Sequence, residues 1–245
     1  SSPPMFCMLL RKHLMGGIIL NIEQFNMDRV VFIDISSLDE LGQPSIKRLI
    51  IEIMGKHSNI ILIDESTKKI IDSIKRVSPD MSRVRQVLPG IKYEYPPIGN
   101  KINPLYFNKD EFITLLEEGK PNTQIYKFFY TNYIGISPLI SREICFNSAI
   151  DIDRTIGSLN IDEKQYLLHS FMETIHNIKE NNYNPVLIKN NIESNYIAFH
   201  TLNINQFGNL EKVFLDSISQ VLDKYYLKND TLDRVSQKSR SIKKS

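Results

Sequence analysis

Two strand-length apolar runs, Ile46 to Met54 and Asn59 to Asp64, are separated by only Gly55-Lys56-His57-Ser58, and this spacing constrains the chain more than any other feature. A short polar break between β-branched runs marks a strand turn. The density of polar side chains there (Glu52, Lys56, His57, Ser58 and Asn59) also marks a candidate site at that turn. Further β-rich runs lie at Ile18 to Glu23, Arg29 to Ser36 and Ile70 to Val77. The alternation around Val30 and Phe32 suits a half-buried antiparallel sheet, with turn chemistry supplied by Asp39 to Pro44. Upstream, apolar positions from Met5 to Met15 recur at helical spacing, Arg11, Lys12 and His13 cluster where cations favour the helix dipole, and Gly16-Gly17 stops the helix.

Between Val87 and Pro104 the chain carries four of its eleven prolines and two of its ten glycines, which favours turn or extended backbone and sets a domain boundary. Asn108 then caps a helix through Leu116, with Glu111 placed as in a capping box. Helices follow from Gln124 to Tyr133 and from Ser137 to Phe146, joined at Ile134-Gly135-Ile136. A glycine in such a turn exposes backbone N–H groups that can bind a phosphate, as in a helix-hairpin-helix. Another helix runs from Asp162 to Asn181, and Pro185 to Lys189 with Tyr196 to Thr201 reads as a small β-hairpin. Leu210, Val213, Phe214, Ser217, Val221 and Tyr225 mark an amphipathic helix running toward Ile242. The expected fold class is α+β: an antiparallel β-rich domain over 1–104, a helical region with a small hairpin over 105–207, and a further helix over 208–245.

With 245 residues, 42% of them hydrophobic, the chain can bury one large core or two modest ones. Its formal net charge of only +2 means that an anionic partner must be met by a local basic patch. The two cysteines, Cys7 and Cys145, sit in apolar helix-like contexts and fit a reducing cytosol, which makes the expected location cytoplasmic. No apolar run has the length of a membrane span and no signal peptide opens the sequence, so no membrane partner is expected.

Enzyme signatures are scarce: there is no phosphate loop ending in Lys-Ser or Lys-Thr and no Gly-x-Ser-x-Gly elbow. The five histidines, at 13, 57, 169, 176 and 200, lack metal spacing, so neither enzyme activity, cofactor nor metal is expected.

Three groups of side chains are candidates for binding. Asp28-Arg29, at the mouth of a strand, can read donors and acceptors on an unpaired nucleobase, although from these residues alone a solvated turn pair has the better claim. In the second group His57 can stack on a base or donate to a phosphate, while a structural histidine and a turn-forming Asn59 are the bland alternatives. Arg83 and Arg85 alternate along an extended segment just after Lys75 and Arg76, which suits a phosphate clamp as well as an edge kept soluble by charge. The basic residues Arg11, Lys12 and His13, and those from Arg234 to Lys244, divide evenly between a phosphate-binding surface and an ordinary solvated face.

Four segments in order, Pro3-Pro4-Met5-Phe6-Cys7-Met8-Leu9-Leu10-Arg11-Lys12-His13-Leu14, Met27-Asp28-Arg29, Glu52-Ile53-Met54-Gly55-Lys56-His57-Ser58-Asn59-Ile60-Ile61-Leu62 and Ser82-Arg83-Val84-Arg85-Gln86-Val87-Leu88-Pro89-Gly90, resemble the amino-terminal half of the NFACT family. That family takes in ribosome quality-control factors and proteins long filed as fibronectin-binding protein A. The resemblance implies a first domain like that of formamidopyrimidine-type DNA glycosylases, whose start precedes Ser1, then a helix-hairpin-helix region and the beginning of a coiled-coil arm. It implies tRNA and a large ribosomal subunit carrying peptidyl-tRNA as partners, and it turns the balance at Asp28 and Arg29 toward tRNA handling. Glu52, Met54, Lys56, His57 and Asn59 are then expected beside that pair, with Arg83, Arg85 and Gly135 on phosphate backbone. The older family name implies a rival, an adhesin binding fibronectin at the cell surface. A glycosylase-like DNA-binding protein is a third reading, although the amino-terminal proline nucleophile of those enzymes has no counterpart here.

Overall fold

After helix α1 (Met5–Leu14), short connections lay the strands down in sequence order: β1 (Ile18–Gln24), β2 (Val30–Leu38), β3 (Pro44–Glu52), β4 (Asn59–Asp64) and β5 (Ile70–Ser73). All neighbours are antiparallel, giving a five-stranded sheet β1-β2-β3-β4-β5. The computed structural model describes residues 3–39, 41–192 and 195–227, and it divides into two compact units between Asn103 and Pro104. The architecture is α+β.

In the first unit, period-two alternation puts Val30, Phe32, Ile50, Ile61 and Ile63 on one face of the sheet, where they form a core with Ile70 and Val87. The segment after β5 covers this face: Val77 and Val87 bridge to each other, and Ile91 and Tyr93 pack on the cluster. Polar residues of the same parity are buried with it. Arg48 makes a two-pronged bond to Asp34 at 2.7 and 2.9 Å and lies 4.7 Å from the centre of the Phe32 ring. Helix α1 packs against the sheet at Gly17, where a Cβ would fall 2.7 Å from Ile35 Cγ2, so only glycine allows that approach. Strand β1 is an edge and is exposed along its whole length, including Ile18, Ile19, Leu20 and Ile22.

The second unit is built on rings. Phe112 of α2 (Lys109–Glu118), Phe128 and Phe129 of α3 (Ile125–Asn132) and Phe171 of α5 (Ile161–Lys179) are fully buried, as is Tyr133, with Phe112 and Phe171 centred 5.3 Å apart. Helix α4 (Pro138–Asn147) adds Ile144 and Cys145, whose burial pushes the thiol up to about 12. Asn108 caps α2 by accepting from the N–H groups of Asp110 and Glu111, and the full capping box falls at Asn160 and Glu163, ahead of α5.

The expected hairpin is part of a larger element. Strands β6 (Val186–Lys189), β7 (Tyr196–His200) and β8 (Glu211–Phe214) form a three-stranded sheet in the order β7-β6-β8. Val213 and Phe214 therefore belong to a strand, and the helix expected from Leu210 gives way to one over 218–227. Ile218, Val221 and Tyr225 of that helix pack on Leu187, Tyr196 and Phe199, so its apolar stripe serves the unit's own sheet. The expected continuation toward Ile242 and the basic residues from Arg234 to Lys244 lie outside the described residues.

Candidate nucleic-acid interface

Antiparallel register brings two turns to one end of the first sheet. Val30 pairs with Glu52 and Glu52 with Asn59, so the turn entering β2 and the turn between β3 and β4 are neighbours. The Ile53 N–H donates to the Arg29 carbonyl at 2.9 Å and ties them together. In the first turn the Asp28 carboxylate accepts from the Arg29 N–H at 2.7 Å, and Gln24 Nε2 donates to the Asp28 carbonyl at 2.7 Å. This fixes the backbone and leaves the Arg29 side chain exposed.

In the second turn Gly55 has a φ of +57°, in the left-handed region, and begins a single 3-10 turn, Gly55–His57. Ser58 Oγ closes it by accepting from the Met54 N–H at 2.9 Å. Lys56 and His57 project from it exposed, while Met54 packs partly against the core.

Three residues expected on this surface lie inside instead. Glu52 and Asn59 share parity with Ile50 and Ile61, so both point into the covered face, and they are only 3% and 7% exposed. Glu52 accepts from the Arg85 guanidinium at 2.5 and 3.1 Å and from the Tyr93 hydroxyl at 2.8 Å. Arg85 also stacks 5.1 Å from the centre of the Tyr93 ring and is committed to this contact rather than to a phosphate. Burial beside Glu52 pushes the Tyr93 phenol up, so it stays protonated and donates. Asn59 Nδ2 donates to the Lys75 carbonyl at 2.8 Å while its Oδ1 accepts from the Lys75 N–H at 3.0 Å, a two-way clamp on the chain leaving β5.

These interior contacts deliver other cations to the same end of the sheet. Lys75, held by Asn59, reaches the Lys56 carbonyl with its Nζ at 3.2 Å. Arg83 is exposed on the loop that Arg85 anchors, where Ser82 Oγ accepts from the Val84 and Arg85 N–H groups. Arg76 is bound to Asp72 at 2.8 and 3.0 Å, which holds the Asp72 carboxyl below the usual range. The resulting rim carries Asp28, Arg29, Lys56, His57, Lys75 and Arg83. Sequence reasoning named Lys75 only as a neighbour and missed Tyr93, since neither stands in a motif. Face parity along β3 and β4 is the signal that would have sent Glu52 and Asn59 inward.

In the second unit, Gly135 joins α3 to α4 with a φ of +74° and is exposed. His169 and His176 are both exposed on α5. No group of three or more His, Cys, Asp or Glu side chains that could hold a metal ion occurs among the described residues, and no helix among them is long and apolar enough to cross a membrane.

Fold and rim together define a two-unit α+β protein with a polar rim built from sheet turns. The chain belongs to the family described as NFACT N-terminal and middle domains, whose model matches residues 1–245. It is 36% identical over 246 residues to the Rqc2 homolog RqcH of Bacillus subtilis, covering 100% of this chain and 40% of that protein. It is 30% identical to the Rqc2 homolog RqcH of Streptococcus pneumoniae serotype 2, covering 99% of this chain and 38% of that one. The chain thus spans about two-fifths of the length of these curated relatives. Among solved structures, the fibrinogen binding protein from Staphylococcus aureus matches with a TM-score of 0.74 at 35% identity, over 92% of this chain and 76% of that one. The N-terminal part of the fibronectin/fibrinogen-binding protein from Streptococcus suis matches with a TM-score of 0.68 at 29% identity, over 93% of this chain and 74% of that one.

Proposed function

We propose that this chain is the RNA-binding part of a cytoplasmic ribosome quality-control factor that engages a large ribosomal subunit carrying peptidyl-tRNA and recruits a tRNA for untemplated extension of the nascent chain. The observation that carries this reading is the pairing of the two turns through Ile53 and Arg29, which sets Arg29, Lys56 and His57 on one exposed rim. Cations beside an imidazole suit an RNA loop: the charges meet phosphates and the ring stacks on an unpaired base. The likeness to RqcH of Bacillus subtilis supports the assignment.

The role of the chain is recognition and not bond chemistry. The ribosome forms the peptide bond, and a protein that holds the incoming tRNA in place lowers the entropic cost of the encounter. Asp28, Arg29, Met54, Lys56 and His57 read the tRNA, by analogy with alanyl-tRNA in the bacterial members of the family. Glu52, Asn59 and Arg85 position them from within, and Arg83 with the Gly135 turn meets phosphate backbone.

A second reading, binding of fibronectin or fibrinogen, draws on the names of the two solved relatives. Crosslinking of the full-length protein in cells followed by RNA sequencing separates the two. The tRNA reading expects tRNA reads that disappear in the Asp28→Ala/Arg29→Ala variant. Absence of tRNA, with retention of the intact protein on immobilised fibronectin, favours the adhesin.

A further inference from the structure

Between α4, α5 and the loop after β7 the second unit holds a polar cleft of about 240 Å3, lined by Glu143 and Asn147 of α4, Glu173 and Asn177 of α5, and Asn203 and Asn205 of the loop. Ser170 Oγ donates to the Ile144 carbonyl at 3.0 Å and fastens the two helices beside it. The loop is pinned from two sides. One oxygen of Glu143 accepts from the Asn205 N–H at 2.8 Å, and the other accepts from the N–H and the Nε2 of Gln206, both at 3.1 Å. Lys212 Nζ donates to the Oδ1 atoms of Asn203 and Asn205 at 3.0 and 2.6 Å, which leaves their Nδ2 groups as donors. Glu143 is only 4% exposed, yet its partners among the described residues are all neutral, whereas Glu52, also buried, is paired with Arg85. The exposed side chains of Glu173 and Asn147 make no hydrogen bond or ion pair among the described residues.

We propose that this cleft binds an extended peptide segment carrying an arginine, with the guanidinium held by Glu143 and Glu173 and the main chain by the asparagines. A carboxylate accepts at about four positions, so Glu143, with three donors, keeps one open on the oxygen that serves Asn205. A charge buried among neutral donors alone is costly, and an incoming cation offsets that cost. A carboxamide presents an acceptor and a donor side by side, the complement of a peptide group, so asparagines around a cleft suit an extended main chain. The planar guanidinium has five donors and is weakly hydrated, which lets it reach two carboxylates at once better than an ammonium can. The same carboxylates repel phosphate, so the cleft does not suit RNA. A loop already fixed by Glu143 and Lys212 has little further order to gain on binding. The cleft lies within the second unit and shares no residue with the rim, so it stands or falls independently of the tRNA reading.

The test is fluorescence anisotropy of the full-length protein with a labelled, end-capped peptide of serines and glycines around one central arginine. A second peptide carries citrulline in its place, which keeps the shape and loses the charge. The arginine peptide should bind about tenfold more tightly than the citrulline one. Glu173→Gln should weaken the arginine peptide about tenfold and leave the citrulline peptide unchanged. Asn147→Ala should weaken both peptides alike, because its contact is to the main chain. Both positions are exposed, so thermal melts of the variants should coincide with that of the parent. Equal affinity for the two peptides, binding of neither, or unchanged affinity in well-folded Glu173→Gln overturns the proposal. Agmatine, a guanidinium without a peptide chain, should compete only weakly; agmatine that binds as tightly as the arginine peptide makes this a small-cation site and overturns the peptide assignment.

Discussion

The Arg85 guanidinium closes on both oxygens of the Glu52 carboxylate, at 2.5 and 3.1 Å, and joins the end of β3 to a loop 33 residues further along the chain. The pair is almost wholly buried, and its place in the fold is to hold the Arg83 loop against the turn that carries Lys56 and His57. Removing one partner leaves the other charge stranded. Arg85→Met should therefore cost about 3 kcal/mol in a urea melt. Adding Glu52→Leu should return much of that loss, because an apolar pair of similar volume suits a buried site. Additive losses in the double variant would show that the two residues do not act as a pair.

Asn59 is the corresponding clamp on the other side, engaging both the N–H and the carbonyl of Lys75. Asn59→Ala should cost about 2 kcal/mol, since buried backbone groups lose their partners. Amide hydrogen exchange reads this locally: the Lys75 N–H should lose protection while the amides of β2 keep theirs.

His200 should make the protein sensitive to mild acid. Burial holds its imidazole down to about 4 from an ordinary value of 6.5, and its Nδ1 accepts from the Leu202 N–H at 2.9 Å. On acidification the unfolded state takes the proton first, so this contribution is whole above pH 6.5 and is lost as pH falls toward 4. His200→Asn keeps an acceptor near the same position without the titration. Melting temperatures of the two proteins should diverge across that window, with the variant flatter; parallel curves would remove His200 from the account.

Strand β1 is an apolar edge with unpaired backbone groups, and Ile18, Ile19, Leu20 and Ile22 are each more than half exposed. Ile22→Lys should reduce self-association of the chain, measured by light scattering across a concentration series. An unchanged profile would show that the edge does not template pairing.

Much of this was legible in the sequence because alternation is local. The runs around Val30 and Phe32, and around Ile61 and Ile63, announce strands, and Gly55 announces the turn between β3 and β4. Strand β8 was not legible, because no long apolar run marks Glu211–Phe214 and its four residues become a strand only by pairing with β6. Val213 and Val221 also share spacing with a helical stripe, and the period alone cannot separate strand from helix over so few residues. The site was half legible. Motif matching gathers Glu52, Lys56, His57 and Asn59 as one polar group, but parity divides them: Glu52 and Asn59 follow Ile50 and Ile61 inward, while Lys56 and His57 sit on a turn that leaves the sheet. Arg83 and Arg85 share a spacing and part company for a reason no local pattern contains, a carboxylate on a distant strand.

The measurement that bears most directly on the central claim is tRNA affinity of the full-length protein and of its Asp28→Asn/Arg29→Ala variant, with a thermal melt of each. The introduced amide would keep an acceptor for the backbone N–H that Asp28 now bonds at 2.7 Å, so the turn should survive and the melts should coincide. The account predicts at least a roughly tenfold loss of tRNA affinity with unchanged melting; equal affinity at equal stability would contradict it.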